Sequence, residues 1–130
     1  AANFSRLGFH QGFGLSVTLP RLVGTSHASL LLLTGRRISG AKAHAIGLAD
    51  ELVPHSEVRQ SAFALASEIA MSAPLAVHAI RRTLREGLAQ AVVGATEHEL
   101  AEQSRLRASA DFQEGVQAMA QRRPPNFKGC

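Results

Sequence analysis

The sequence predicts an α/β chain in two parts, a mixed segment over residues 1–56 and an all-helical segment over 57–130. Three observations predict it. Ala1–Leu7 reads as the end of a strand or an extended segment, and Leu48–Val53 as a strand stopped by Pro54. Between them, the glycine loop Gly8–Gly14 runs into Leu15, Thr18, Leu19, Leu22 and Val23, spaced by threes and fours as on one helix face. From Ser56 onward every periodic segment has the helical spacing.

Taken in order, Gly24 ends the first helix and Thr25 or Ser26 can cap the next. Ala28–Thr34, with Leu30 to Leu33 in succession, is apolar all round and is expected to be buried on most sides. Gly35 stands where a C-terminal cap belongs. Ser39 is placed to cap a short helix over Gly40–Ile46, and Gly47 to end it. Val58, Ala62, Phe63, Ala66, Ile69 and Ala70 form one apolar stripe, and Pro74 opens the following helix. That helix puts Arg81, Arg82 and Arg85 outward and ends near Gly87. A longer helix from about Ala89 to Leu106 contains Gly94 and has a polar face of Glu97, Glu99 and Glu102. Ser109 caps the last helix, which Pro124-Pro125 ends before the tail Asn126–Cys130.

Composition removes several function classes. The net charge of +4 is spread as +2 over residues 1–57 (five basic, three acidic) and +2 over 58–130 (nine basic, seven acidic). With Phe as the sole aromatic type, the chain has no basic patch interleaved with stacking rings, and nucleic acid is not an expected partner. Cys130 is the single cysteine, so neither a disulfide framework nor a cysteine metal cluster is expected. Without a long apolar run or a leader pattern, a soluble, cytoplasmic protein with no membrane partner is expected. No carboxylate precedes Asp50, so acid–base work in that stretch falls to His10, His27 or His44.

By its residues alone, the loop Gly8–Gly14 has two readings. It is a tight turn, or it delivers free N–H groups at a helix N-terminus, where a carbonyl oxygen or an anion would bind.

Longer blocks carry a resemblance. Leu19-Pro-Arg-Leu-Val-Gly24, Leu32-Leu-Thr-Gly-Arg-Arg-Ile-Ser39, Ala45-Ile-Gly-Leu48, Leu52-Val-Pro54 and Ser72-Ala-Pro-Leu-Ala76 are joined by Asp111-Phe-Gln-Glu-Gly115 and Arg122-Arg-Pro-Pro-Asn-Phe-Lys-Gly129. Together they resemble the enoyl-CoA hydratase/isomerase (crotonase) family, in its order and spacing. The resemblance is to the C-terminal half of proteins about twice this length. It implies the end of a β/α spiral core, then helices that assemble trimers or hexamers. The substrate implied is an acyl-CoA thioester, with coenzyme A part of the substrate and no further cofactor. The two oxyanion-hole N–H donors and one catalytic acid would lie in the other half.

Carried over residue by residue, Gly8, Gly12 and Gly14 match the loop beside the acyl thioester. With Phe4, Gln11 and Phe13 in the same stretch, Gly8 and Gly12 are the candidate substrate-binding residues. Gln11 replaces the family's proline, and Phe4 stands where hydratases carry a glutamate. His10 is the candidate catalytic residue, since imidazole titrates near neutral pH, or else it only holds the turn. The other histidines lack metal-like spacing, and no metal site is expected. Phe127 and Lys128 match the family's terminal motif and are candidates for binding coenzyme A, or else they belong to a solvated tail. A non-catalytic acyl-CoA binder and an oligomerising helical module are the alternative functions. The isolated chain is expected to be poorly stable or to associate, and not to catalyse.

Overall fold

The computed structural model describes residues 1–130 and is helical, with no β-strand. A 3-10 turn at Phe4–Leu7 precedes α1 (Leu15–Thr34) and α2 (Gly40–Ala45). A second 3-10 turn, His55–Glu57, leads into α3 (Val58–Ala70), α4 (Pro74–Leu84), α5 (Leu88–Arg107) and α6 (Ala110–Gln121). The α/β expectation is therefore corrected for both predicted strands. A strand exchanges hydrogen bonds with a neighbour, and here neither segment has such a partner, the backbone bonds in and beside them being local. Gly8 N–H donates to Ser5 O (3.2 Å) and Phe9 N–H to Phe4 O (3.1 Å), while Leu48 and Ala49 both donate to Ala43 O (2.9 and 3.3 Å).

Local signals elsewhere are obeyed. Ser39 Oγ accepts from Lys42 N–H at the start of α2, and Ser109 Oγ accepts from Phe112 N–H at the start of α6. Pro74 opens α4, where its missing N–H costs no intrahelical bond. Gly35 closes α1 in the left-handed region and donates to Leu31 O. Within α1, Gly24 has φ 73° and ψ 161°, which breaks the rod into two helices where the sequence expects the break.

One small core sits where α1 folds against the link to α2. Leu19, Val23, Ala28, Leu31 and Ile46 are its buried members, with Leu15, Leu32 and Ile38 packed against them. The leucine run is less covered than its composition suggests. Leu31 is buried, but Leu33 is 78% exposed, because α1 meets neighbours on one side only. The α3–α4 pair is barer still, with no buried residue in either helix. Phe63, Ile69, Met71, Leu75, Ile80 and Leu84 are all exposed.

The second contact region joins the N-terminal turn to the C-terminal helices and depends on two glycines. A Cβ on Gly115 would lie 2.5 Å from the Leu7 carbonyl carbon, and one on Gly8 2.7 Å from that of Asp111. Neither separation is attainable against backbone, so glycine at both positions lets α6 seat directly on the turn. Phe9 stacks on Phe112 (5.0 Å between centroids), and the Arg107 guanidinium covers the Phe9 ring at 5.4 Å.

This packing predicts opposite outcomes for two helical glycines. Gly115→Ala should destabilise the chain by about 1–3 kcal/mol through overpacking. Gly94→Ala has open space around it and should stabilise by about 1 kcal/mol through helix propensity. Urea midpoints with a common slope test the pair, and an unchanged Gly115→Ala midpoint would remove the α6 contact.

Candidate functional site

The loop Gly8–Gly14 lies between the N-terminal turn, α1, α5 and α6, and it leads directly into the donors at the start of α1. Leu15 N–H donates to Gly12 O (3.2 Å), and Val17 and Thr18 N–H to Gly14 O (3.1 and 2.9 Å). Two further donors at this junction are taken by a side chain from far along the sequence. Gly14 N–H donates to Glu99 Oε2 at 2.8 Å, and Ser16 N–H to Glu99 Oε1 at 2.9 Å. At the start of α1 the reading in which free N–H groups await an anion is thus corrected. The chain's own carboxylate fills that place.

Glu99 is 1% exposed and is the largest fully buried side chain. Sequence reasoning put it on a polar face with Glu97 and Glu102. The structure puts it on the inner face of α5 with Gln103, and with Val92, whose Cγ1 lies 2.9 Å from where a Cβ on Gly14 would be. Burial pushes the Glu99 carboxyl up, but donation from Ser16 and Gly14 outweighs it and holds the group below its ordinary value. It is an ionised acceptor with both oxygens engaged. The signal that could have found it was its place four residues before Gln103 and seven after Val92, on one helical face.

Around this clamp the predicted site residues fall into three groups. Gly12 is buried, and a Cβ there would meet Gln103 Nε2 at 2.5 Å. That same Nε2 donates to the His10 carbonyl (3.2 Å), and Gln11 Nε2 donates to Ser16 Oγ (3.1 Å). His10 itself has Nδ1 2.8 Å from the Gln11 carbonyl. A carbonyl only accepts, so Nδ1 carries the proton and a neutral ring keeps its lone pair on Nε2. His98 of α5, which the sequence gave no reason to single out, stands edge-on to this ring with 5.9 Å between centroids.

Phe4 and Phe13 come together, their rings 6.4 Å apart and tilted by 50°. Phe13 is 86% exposed and has φ 64°, a left-handed conformation unusual for a bulky residue.

Phe127 and Lys128 lie in a tail that is fastened rather than loose. Asp111 accepts from Lys128 N–H (2.7 Å) and Gly129 N–H (2.8 Å), and its own N–H donates to Cys130 O (3.1 Å). Glu114 takes both Arg123 guanidinium nitrogens (2.6 and 2.8 Å) and Asn126 N–H (2.7 Å). The Arg123 guanidinium, with Asn126 N–H next, holds the Glu114 carboxyl at about 2. Asp111 also meets Gly8 through its backbone, so the loop and the tail share one end of α6. No group of three or more His, Cys, Asp or Glu side chains is arranged to hold a metal ion.

The whole of residues 1–130 matches the family model described as enoyl-CoA hydratase/isomerase. The chain belongs to that family. It is 35% identical over 123 residues to the 2,3-dehydroadipyl-CoA hydratase of Escherichia coli, covering 95% of this chain and 48% of that protein. A probable enoyl-CoA hydratase of Rhodobacter capsulatus is 33% identical over 126 residues, covering 97% and 49%. The crystal structure of a carnitinyl-CoA hydratase from Mycobacterium avium superposes with a TM-score of 0.87 at 31% identity, over 97% of this chain and 49% of that one. This hydratase/isomerase chain thus spans about half the length of the curated relatives it matches. Its fold is that of the part of that structure on which it superposes. No single helix is long and apolar enough to cross a membrane.

The carboxylates of α6 give a pH prediction. Glu114 has its folded pKa depressed from 4.5 to about 2, so its contribution is present above 4.5 and is lost as pH falls towards about 2. The Asn126 amide signal should therefore titrate with a midpoint near 2 in the folded chain. In Glu114→Gln the tail signals should have left their docked positions already at neutral pH. A midpoint at 4.5 would mean the Arg123 pairing does not form.

Proposed function

We propose that this chain supplies the acyl-group loop and the coenzyme tail of an enzyme that acts on acyl-CoA thioesters by hydration or isomerisation. The observation that carries the reading is the fixed tautomer of His10. Its Nδ1–H is committed to the Gln11 carbonyl, which leaves Nε2 as the one neutral base in a loop without a free carboxylate. In this role His10 Nε2 accepts or returns the proton at the carbon next to the thioester carbonyl. Phe4 and Phe13 contribute an apolar wall for the acyl chain, Gly8, Gly12 and Gln11 shape the backbone beside it, and Phe127 and Lys128 meet the coenzyme. The enolate that forms is stabilised by N–H donors that these 130 residues do not supply. Coenzyme A enters as part of the substrate, and the reading requires no other cofactor. The assembled enzyme is a cytoplasmic homo-trimer or hexamer in this reading, with no nucleic-acid or membrane partner.

One observation favours a second reading, a non-catalytic acyl-CoA binder. Phe4 brings a ring where hydratases bring an acid, and the carboxylate nearest the loop, Glu99, is ionised with both oxygens engaged. Binding and turnover separate the two. The protein from its native source should bind butyryl-CoA and hydrate crotonyl-CoA, and His10→Ala should lower kcat by about 100-fold, the scale of a lost acid–base group. Binding without turnover would establish the binder, and no butyryl-CoA binding would reject both. Lys128→Ala should weaken butyryl-CoA binding with little effect on octanoyl-pantetheine thioester, which lacks the nucleotide phosphates.

A further inference from the structure

We propose that Glu99 is the positioning residue of the acyl loop, a built-in anion that holds Gly14 and Ser16 and keeps ligand anions away from the start of α1. The residue is exceptional here on three counts. It is the one charged side chain that is fully buried, it reaches back over more than eighty positions to its partners, and it grips two N–H groups that no other acceptor serves. A carboxylate is placed there at the cost of desolvation, which only hydrogen bonding to the ionised form offsets.

The geometry says what the grip is for. Oε2 and Oε1 fix the backbone at Gly14 and Ser16, on either side of Leu15, immediately after the strained Phe13. One turn further along α5, Gln103 fixes the His10 carbonyl. Two side chains of one helix face thus pin both ends of His10–Ser16, and the Phe13 ring is displayed between them. Without Glu99 the two N–H groups would attract a phosphate or a carboxylate to α1. With it, the phosphates of a coenzyme are turned away and the loop is left to the uncharged acyl end. The inference rests on the acyl-CoA reading for this last clause, while the grip itself needs no substrate.

Amide hydrogen exchange on the protein tests the grip. In Glu99→Ala, Gly14 and Ser16 should exchange about 10-fold faster or more, the loss of charge-assisted hydrogen bonds, while amides of α3 and α4 keep their rates. Added formate should restore protection at those two amides, because it can sit in the vacated notch. A purely structural role would not give such rescue. Glu99→Gln, which keeps one acceptor oxygen and the side-chain volume, should show an intermediate and selective effect, and it decides the matter if Glu99→Ala unfolds. Glu97→Gln, an exposed carboxylate on the same helix, should change nothing. Unchanged Gly14 and Ser16 rates in both Glu99 variants, or no recovery with formate, would overturn the proposal. Butyryl-CoA separates this from the functional reading. If the wild type does not bind it, that reading fails and the grip stands on the exchange data. If the wild type binds it and Glu99→Gln binds equally well, Glu99 does not position the acyl loop.

Discussion

The buried Glu99 carboxylate is the constraint on which the site depends. Helix α1 starts with donors that need partners, and the loop before it has no side chain able to supply them. The partner comes from α5, so the loop, α1 and α5 are fixed by one group with two short hydrogen bonds. Removing one member of such an arrangement is costly because the others are left buried and unpaired. The same bonds make Glu99 unsuitable for proton transfer. In the proposed reading the proton transfer therefore falls to His10.

A second constraint is close approach. Gly8 and Gly115 allow the N-terminal turn and α6 to meet backbone to backbone, and Asp111 then spans from that contact to the tail. The family's terminal motif thereby acquires a physical meaning. Asp111 and Glu114 hold Lys128, Gly129, Arg123 and Asn126, so the residues expected to meet the coenzyme stay in register with the loop expected to meet the acyl group. By contrast α3 and α4 bury nothing against this assembly. Their apolar side chains, like Leu33 on α1, leave a surface that favours association.

Much of this was legible in the sequence wherever the cause is local. Ser39, Ser109, Gly35 and Pro74 act on their own turn, and each helix boundary they mark is found in the structure. The Gly24 break was legible for the same reason. The predicted strands were not, since a short segment becomes a strand only when a partner strand exists, and neither Ala1–Leu7 nor Leu48–Val53 has one in this structure. The leucine run showed apolarity but not cover, which depends on what lies opposite. At the site, the glycine loop and its histidine could be read from spacing and resemblance. Glu99 and His98 could not, because their partners lie more than eighty residues away and the face of α5 they occupy is set by packing.

The most direct test of this account is a cross-hydrogen-bond NMR experiment, on protein labelled at nitrogen and carboxyl carbon, that correlates backbone amides with side-chain carboxylates. Couplings from Gly14 and Ser16 nitrogens to the Glu99 carboxyl carbon are the predicted result, and they would establish the clamp on its own terms. Amides of Gly14 and Ser16 with no such coupling, in a chain whose α1 and α5 are otherwise formed, would contradict it.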